Sequence, residues 1–333
     1  METFDCIYCK KNLPITLSSR SDVIPDFLGN GLILERAVCK TCNNEFNIQV
    51  EQPLRNHFQF LRSGLDLKGR RGKPVQLVVD VEIESLDKKI RSDVEHIKGK
   101  GVPPFKFRGD DGKEYYAFIG KKAYIEEKKK EINSKKSNIK WMEANDKGEV
   151  ILSVNALPVN IMNSDLAKRL AAKIAFERFC QKKSSFVCLD GLYDNIRNYI
   201  RDGSGTKQIC SLIYNEKIMM GNMNFPFPCH SIILTHDTSR NIIVCVVSLF
   251  GLYYYLVKIS EYLPINAPWD DCITIDPQGN TQYEPIIRGT LSIYIPYNAW
   301  IMNEAKLQLA GQFAFQKFKD ALESDAFIVG TDN

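Results

Sequence analysis

The stretch that decides the reading is Cys6-Ile-Tyr-Cys9, then 29 intervening residues, then Cys39-Lys-Thr-Cys42-Asn-Asn-Glu-Phe46. Each Cys-x-x-Cys pair bends the chain so that two sulfurs face one point. Two such knuckles make a closed tetrahedral site with zinc–sulfur bonds of about 2.3 Å. A redox Cys-x-x-Cys needs a strand–helix context that the sequence does not provide here. A metal suits a unit of about 65 residues because so small a unit buries only a modest core. Zinc in such small sites contributes roughly 10–16 kcal/mol of apparent binding free energy to folding. Four thiolates leave no open coordination position, so Cys6, Cys9, Cys39 and Cys42 are expected to hold a structural zinc that catalyses nothing itself.

Around this staple lies an ordinary globular chain. It has 333 residues, 44% hydrophobic and 25% charged, which excludes a disordered, collagen-like or disulfide-scaffold protein. The formal charge is only +4, but residues 1–150 carry net +5 and residues 151–333 net −1, so any positive field belongs to the first half. The N-terminus has no apolar signal core, and Cys180, Cys188, Cys210, Cys229, Cys245 and Cys272 are scattered among apolar residues. They read as buried free thiols in a reducing cytoplasm. The uncharged run Asn241–Val257 is short for a membrane span, is interrupted by Gly251 and is rich in β-branched and aromatic residues. Two adjacent buried strands explain it better.

The fold class expected is α+β: an N-terminal zinc-bound ββα domain, then a mixed domain with an antiparallel sheet. The domains are residues 1–65, a basic link with small strands and a Lys-rich helix over 66–150, and a larger domain over 151–333. Strands are predicted at Val75–Glu84, Tyr115–Gly120 and Gly148–Asn155, with a loop at Gly99–Pro104 and a solvated helix over Lys121–Lys140. In the second half Ser164 can cap a helix whose Leu166, Leu170, Ile174 and Phe179 recur at helical spacing. A shorter helix, Asp190–Arg201, stops at Gly203. Strands follow at His230–His236, Asn241–Leu249 and Leu252–Ser260, then a long loop Pro264–Pro285 and an amphipathic helix Ala299–Glu323.

Between and after the knuckles the chain reads Ser19-Arg-Ser-Asp-Val-Ile-Pro-Asp-Phe-Leu-Gly-Asn30 and Cys39-Lys-Thr-Cys-Asn-Asn-Glu-Phe46. This resembles the zinc-stapled subgroup of the HNH (ββα-metal) endonuclease family, which looks like CxxC, Glu-His-x-Ile-Pro-x-x-Leu-Gly-Gly, then CxxC-Asn-Asn-x-Phe. The resemblance covers roughly residues 5–75, and Lys173-Ile-Ala and Tyr199-Ile-Arg-Asp-Gly look less specifically like the later part of such proteins. It implies a His acting as general base on water and a helix residue helping to hold one magnesium or manganese ion at the scissile phosphate. Carried over by position, Ile24-Pro25 follows the first strand, Leu28-Gly29 begins the return, Ile33–Val38 is the second strand and Asn43 is the candidate ligand.

The pattern departs at its centre. The Glu-His pair is Ser21-Asp22, the second Gly of the turn is Asn30, and the first histidine in the chain is His57. A carboxylate can hold magnesium or manganese but is a weaker base than imidazole, with a reference pKa near 3.9. Three readings stay open: Asp22 and Asn43 still support hydrolysis, the domain keeps its fold for binding alone, or a distant side chain such as His57 supplies the base.

Arg55, Arg62, Lys68, Arg70, Arg71 and Lys73 face a single acid, Asp66, between Pro53 and Lys73, with His57, Phe58 and Phe60 interleaved. Such cations release counterions from a phosphate backbone and the aromatics can stack on unpaired bases, so the expected partner is nucleic acid, DNA ahead of RNA. The 230–260 sheet and the final helix offer a surface for a protein partner. His230 and His236, six apart on one strand, read as strand-end histidines, and Asp270-Asp271 and Asp276 as loop acids. A setting in microbial defence against foreign nucleic acid is fold-level analogy.

Overall fold

The computed structural model describes residues 2–29, 32–58, 159–183, 185–205, 208–213, 228–237, 240–262, 271–277 and 304–324. It also describes the strand segments 76–83, 88–95, 101–108, 114–120, 151–153 and 282–283, and positions 61, 62, 65, 67, 126, 127, 129–131 and 134. Two compact units form: Met1–Phe58 with Leu157–Lys319, and Gln59–Ala156 with Asp320–Asn333.

The first unit opens with a small antiparallel hairpin, β1 (Thr3–Asp5) and β2 (Asn12–Pro14), whose turn is the first cysteine knuckle. The turn closes through Cys6 N–H to Lys11 O (3.1 Å) and Lys10 N–H to Cys6 O (2.8 Å). Strand β3 (Ser18–Asp22) then pairs antiparallel with β4 (Ile33–Cys39), with a bulge between Ser19 and Ser21. Helix α1 (Lys40–Phe46) starts directly from β4, because the Cys39 sulfur accepts the Cys42 N–H at its N-terminus. It widens into a π turn, Asn47–Glu51, and ends in α2 (Gln52–Arg55). This is the expected ββα arrangement, with the second knuckle at the strand–helix junction.

Helices α3 (Val159–Met162), α4 (Asp165–Lys182), α5 (Ser185–Cys188) and α6 (Asp194–Asp202) follow. Ser164 caps α4, its hydroxyl accepting the Ala167 N–H, and α6 ends on Gly203 at φ +77°. Helix α4 carries no one-sided stripe: every residue from Arg169 to Cys180 is buried, including Arg169, Lys173, Glu177 and Arg178. A helix enclosed on all faces sits inside its unit, and its charges need partners.

The α4 helix packs on a six-stranded antiparallel sheet. Its strands are β10 (Cys210–Ile213), β11 (His230–Asp237), β12 (Ile242–Leu249), β13 (Tyr253–Lys258), β14 (Asp271–Ile275) and β15 (Gln282–Tyr283), in the order β10-β13-β12-β11-β14-β15. The uncharged run is the β12–β13 hairpin, turned at Phe250 (φ +57°) and Gly251 (φ +65°), the paired positive φ values of a tight hairpin turn. Every residue of β12 is buried, which explains a strand without a polar face. Strand β14 lies inside the stretch expected to be loop. Ile273 and Ile275 are buried, and Asp271 pairs with Arg178 and Lys182 of α4 instead of standing in a surface loop. Helix α7 (Glu304–Ser324) buries Ala310 and Ala314 and sets Phe313 6.4 Å from the Tyr254 ring.

In the second unit β5 (Gln76–Ile83) pairs with β6 (Lys88–Glu95) and β9 (Ile151–Ser153), and β7 (Gly101–Arg108) pairs with β8 (Glu114–Gly120). The sequence predicts a loop at Gly99–Pro104. The ladder runs through it because Pro103 and Pro104 fall at the irregularity between Val102 and Phe105, where no ladder donor is needed. Strand β6 went unread, since Lys88-Lys-Ile-Arg-Ser-Asp has no apolar alternation. Among residues 121–140 the described positions Glu126, Glu127, Lys129–Glu131 and Ser134 are helical. All ten cysteines are free; Cys229 and Cys272 are half-buried, where burial was expected of all six outside the knuckles. Among the described residues no helix is long and apolar enough to cross a membrane.

Candidate functional site

The knuckles converge. The ligand atoms of Cys6, Cys9, Cys39 and Cys42 all lie within 4.8 Å of one another, and Cys9 Sγ is 4.0 Å from Cys39 Sγ. Tetrahedral zinc at its usual bond length puts sulfurs about 3.8 Å apart, so the set fits that ion. Backbone N–H groups already point at the sulfurs, from Cys39 to Cys6 Sγ and from Cys42 to Cys39 Sγ, each at 3.4 Å, an outer shell suited to thiolate charge. The knuckle is also tied to the rest of its unit. Buried Arg197 on α6 donates to the carbonyls of Ile7 and Cys188, both at 2.6 Å, pairs with Asp194, and lies 5.7 Å from the Phe176 ring.

Beside the staple is the place where the resemblance puts chemistry. Asp22 ends β3 and is half-buried; Asn43 lies in the first turn of α1. The structure brings the two to neighbouring elements, with the Asn43 amide and the Asp22 main-chain carbonyl engaged. Asn43 Nδ2 donates to Ser19 Oγ at 2.9 Å, and its Oδ1 is 3.4 Å from Ser21 Oγ, so both ends of the amide face β3. The Asp22 carbonyl oxygen accepts the Lys173 ammonium at 2.6 Å. Ser21 is fully buried and donates to the Glu177 carboxylate, 2.9 and 3.0 Å from its two oxygens. Glu177 also accepts Tyr8 OH (2.8 Å) and Lys173 Nζ (3.0 Å). Glu51, the last residue of the π turn, stands 3.8 Å from Lys173 Nζ. Burial pushes the Glu51 carboxyl up, Glu177 and Asp22 push the same way, and Lys173 holds it back.

Among the described residues, the four thiols are the only group of three or more His, Cys, Asp or Glu spaced to hold an ion. Asp22 and Asn43 alone offer a magnesium or manganese ion at most three side-chain oxygens, the amide one tied to β3. Those residues do not by themselves form a built divalent site.

His57 lies in the short turn Asn56–Phe58 and is exposed, while its neighbour Phe58 is buried 5.7 Å from the Phe27 ring. Arg55 is exposed at the end of α2 and Arg62 is half-buried. Asn30, Lys68, Arg70, Arg71 and Lys73 lie outside the described residues. His230 is a clamp rather than a ligand: fully buried, it donates from Nε2 to Leu28 O at 3.0 Å and accepts the Phe250 N–H at Nδ1, 3.3 Å. Lys173, Glu177, Glu51 and Tyr8 were missed as site residues. The available signal was a Lys–Glu pair four apart inside the apolar run of α4.

The ββα element with four converging thiols is the arrangement that the HNH resemblance implies. Residues 6–59 match the family model described as HNH endonuclease, and this N-terminal segment is an HNH domain. No curated protein and no solved structure matches the chain.

Proposed function

We propose that this is an HNH-type nucleic-acid-processing protein whose ββα domain keeps its grip on nucleic acid while its hydrolytic centre is degenerate. The observation that carries this is the engagement of Asn43, which spends its amide on β3, at a site where Asp22 stands in place of the imidazole base. A zinc ion in the four thiolates would hold the hairpin and helix together and supply no reaction step. Contact with nucleic acid falls to Arg55 and the basic stretch Arg62–Lys73, which meet phosphate with little sequence information. The free cysteines suit a reducing cytoplasm. A place in microbial defence rests on fold analogy alone.

A second reading keeps metal-dependent phosphodiester hydrolysis, with Asp22 as base. It is favoured by the partial exposure of Asp22 at the end of β3. The deciding experiment incubates plasmid and RNA with the zinc-loaded chain across magnesium and manganese, beside Asp22→Ala, Asn43→Ala and Asp22→His. No cleavage by the wild type, with DNA retention that weakens steeply with salt and is flattened by Arg70→Ala/Arg71→Ala, is the expected result. Cutting by Asp22→His adds support. Metal-dependent cutting by the wild type that both alanine variants lose establishes the second reading instead. Neither binding nor cutting leaves a protein-interaction subunit and refutes both.

A further inference from the structure

Core packing has no use for the ammonium in the middle of α4. Lys173 is 1% exposed, yet its Nζ is surrounded as a bound cation would be. It lies 2.6 Å from Asp22 O, 3.0 Å from Glu177 Oε2, 3.8 Å from Glu51 Oε1 and 5.6 Å from the Phe46 ring centroid. These partners come from four elements: the end of β3, α4 itself, the π turn and α1. The extra residue of the π turn matters here. It leaves Glu51 turned inward while Gln52 and Pro53 are exposed, and such turns often mark functional positions. Glu177 is in turn fixed by Tyr8 OH and Ser21 Oγ, so the carboxylate that faces the ammonium cannot swing away.

We propose that the Lys173 ammonium is the resident cation of the ββα core, tethered beside Asp22 where the HNH resemblance places an exchangeable divalent ion. It rests on the HNH reading of this domain, and it turns the poor fit of Asp22 and Asn43 to magnesium or manganese into a positive feature. A divalent ion bound at Asp22 would stand near the ammonium that holds the main-chain carbonyl of the same residue and be repelled by it, so the intact core excludes the metal. Lys173 is then a positioning residue: it holds the end of β3 and the π turn in place without metal, at any divalent concentration.

The test is Mn²⁺ titration of the full, zinc-loaded chain, read by electron paramagnetic resonance and calorimetry. Wild type and Lys173→Arg are expected to bind no Mn²⁺ that Glu51→Gln removes. Lys173→Met is expected to gain roughly one equivalent, at least about tenfold tighter than any binding by the wild type, because oxygen donors lose their resident charge. Lys173→Met/Glu177→Gln is expected to lose that gain. A purely structural lysine would not create a manganese signal. Wild-type Mn²⁺ binding abolished by Glu51→Gln overturns the proposal, and so does a folded Lys173→Met chain without the gain. If Lys173→Met does not fold, the wild-type and Glu51→Gln pair still decides. DNA retention is scored separately: its absence with the manganese pattern intact refutes the nucleic-acid reading and leaves the tethered cation standing.

Discussion

Acidification should loosen the protein through one histidine. His230 is fully buried, holds Leu28 O through Nε2–H and receives the Phe250 N–H at Nδ1, so its ring is committed to the neutral form. Its pKa is lowered to about 4, by burial first, with the Leu28 hydrogen bond and Asp276 opposing. In the unfolded chain an imidazole titrates near 6.5, so unfolding takes up a proton between these values. The stabilisation is complete above about pH 6.5 and is lost as pH falls from there through about 4. The two pKa values give a loss of about 2 kcal/mol at pH 5 and about 3 kcal/mol at pH 4. Urea denaturation of the zinc-loaded chain from pH 7.5 to 4.5 measures it, with His230→Gln as reference because an amide can still donate to Leu28 O. The wild type should lose stability faster than the variant, by nearly one proton near pH 5. Parallel curves for the two proteins would refute the assignment of His230 as a buried neutral clamp.

Elemental analysis should find one zinc per chain, and Cys39→Ser should find none. A strong chelator should then remove a folding contribution of up to roughly 10–16 kcal/mol, and an unchanged melting temperature after metal removal would contradict the staple. Gly29→Ala places a Cβ 2.6 Å from both Pro277 Cβ and Pro277 O at φ +112°, so a cost of about 2 kcal/mol or more is expected in thermal unfolding, and a neutral result would mean the turn is free to move. Glu177→Leu leaves Lys173 buried without its carboxylate and should cost about 3–5 kcal/mol, while Lys173→Met/Glu177→Leu should recover most of it; equal losses in both would deny that the pair is the source.

What the sequence disclosed and what it withheld divide along contact distance. Each knuckle and the Ser164 cap are set by residues a few positions apart, and spacing reveals them, while the β3–β4 return is what the HNH resemblance implies. Strand β14 was hidden because Asp271 reads as a loop acid until Arg178, 93 positions away, is known to hold it with 2.6 and 2.8 Å bonds. The candidate site was hidden for the same reason on a larger scale. The motif comparison shows a loss: Ser21 stands where the related pattern has Glu, and the neighbouring Asp22 takes the position of the His rather than of that acid. The fold supplies one from 156 residues away, since the Glu177 carboxylate is hydrogen-bonded to Ser21 Oγ itself. It arrives with its own cation four residues earlier on α4, one helical turn apart and so on the same face. A short hydroxyl in β3 is what makes room for that pair, because a second carboxylate in place of Ser21 would face Glu177 at hydrogen-bonding distance and repel it. In the folded chain the hydroxyl at this position donates to the carboxylate of the charged pair of α4 at hydrogen-bonding distance.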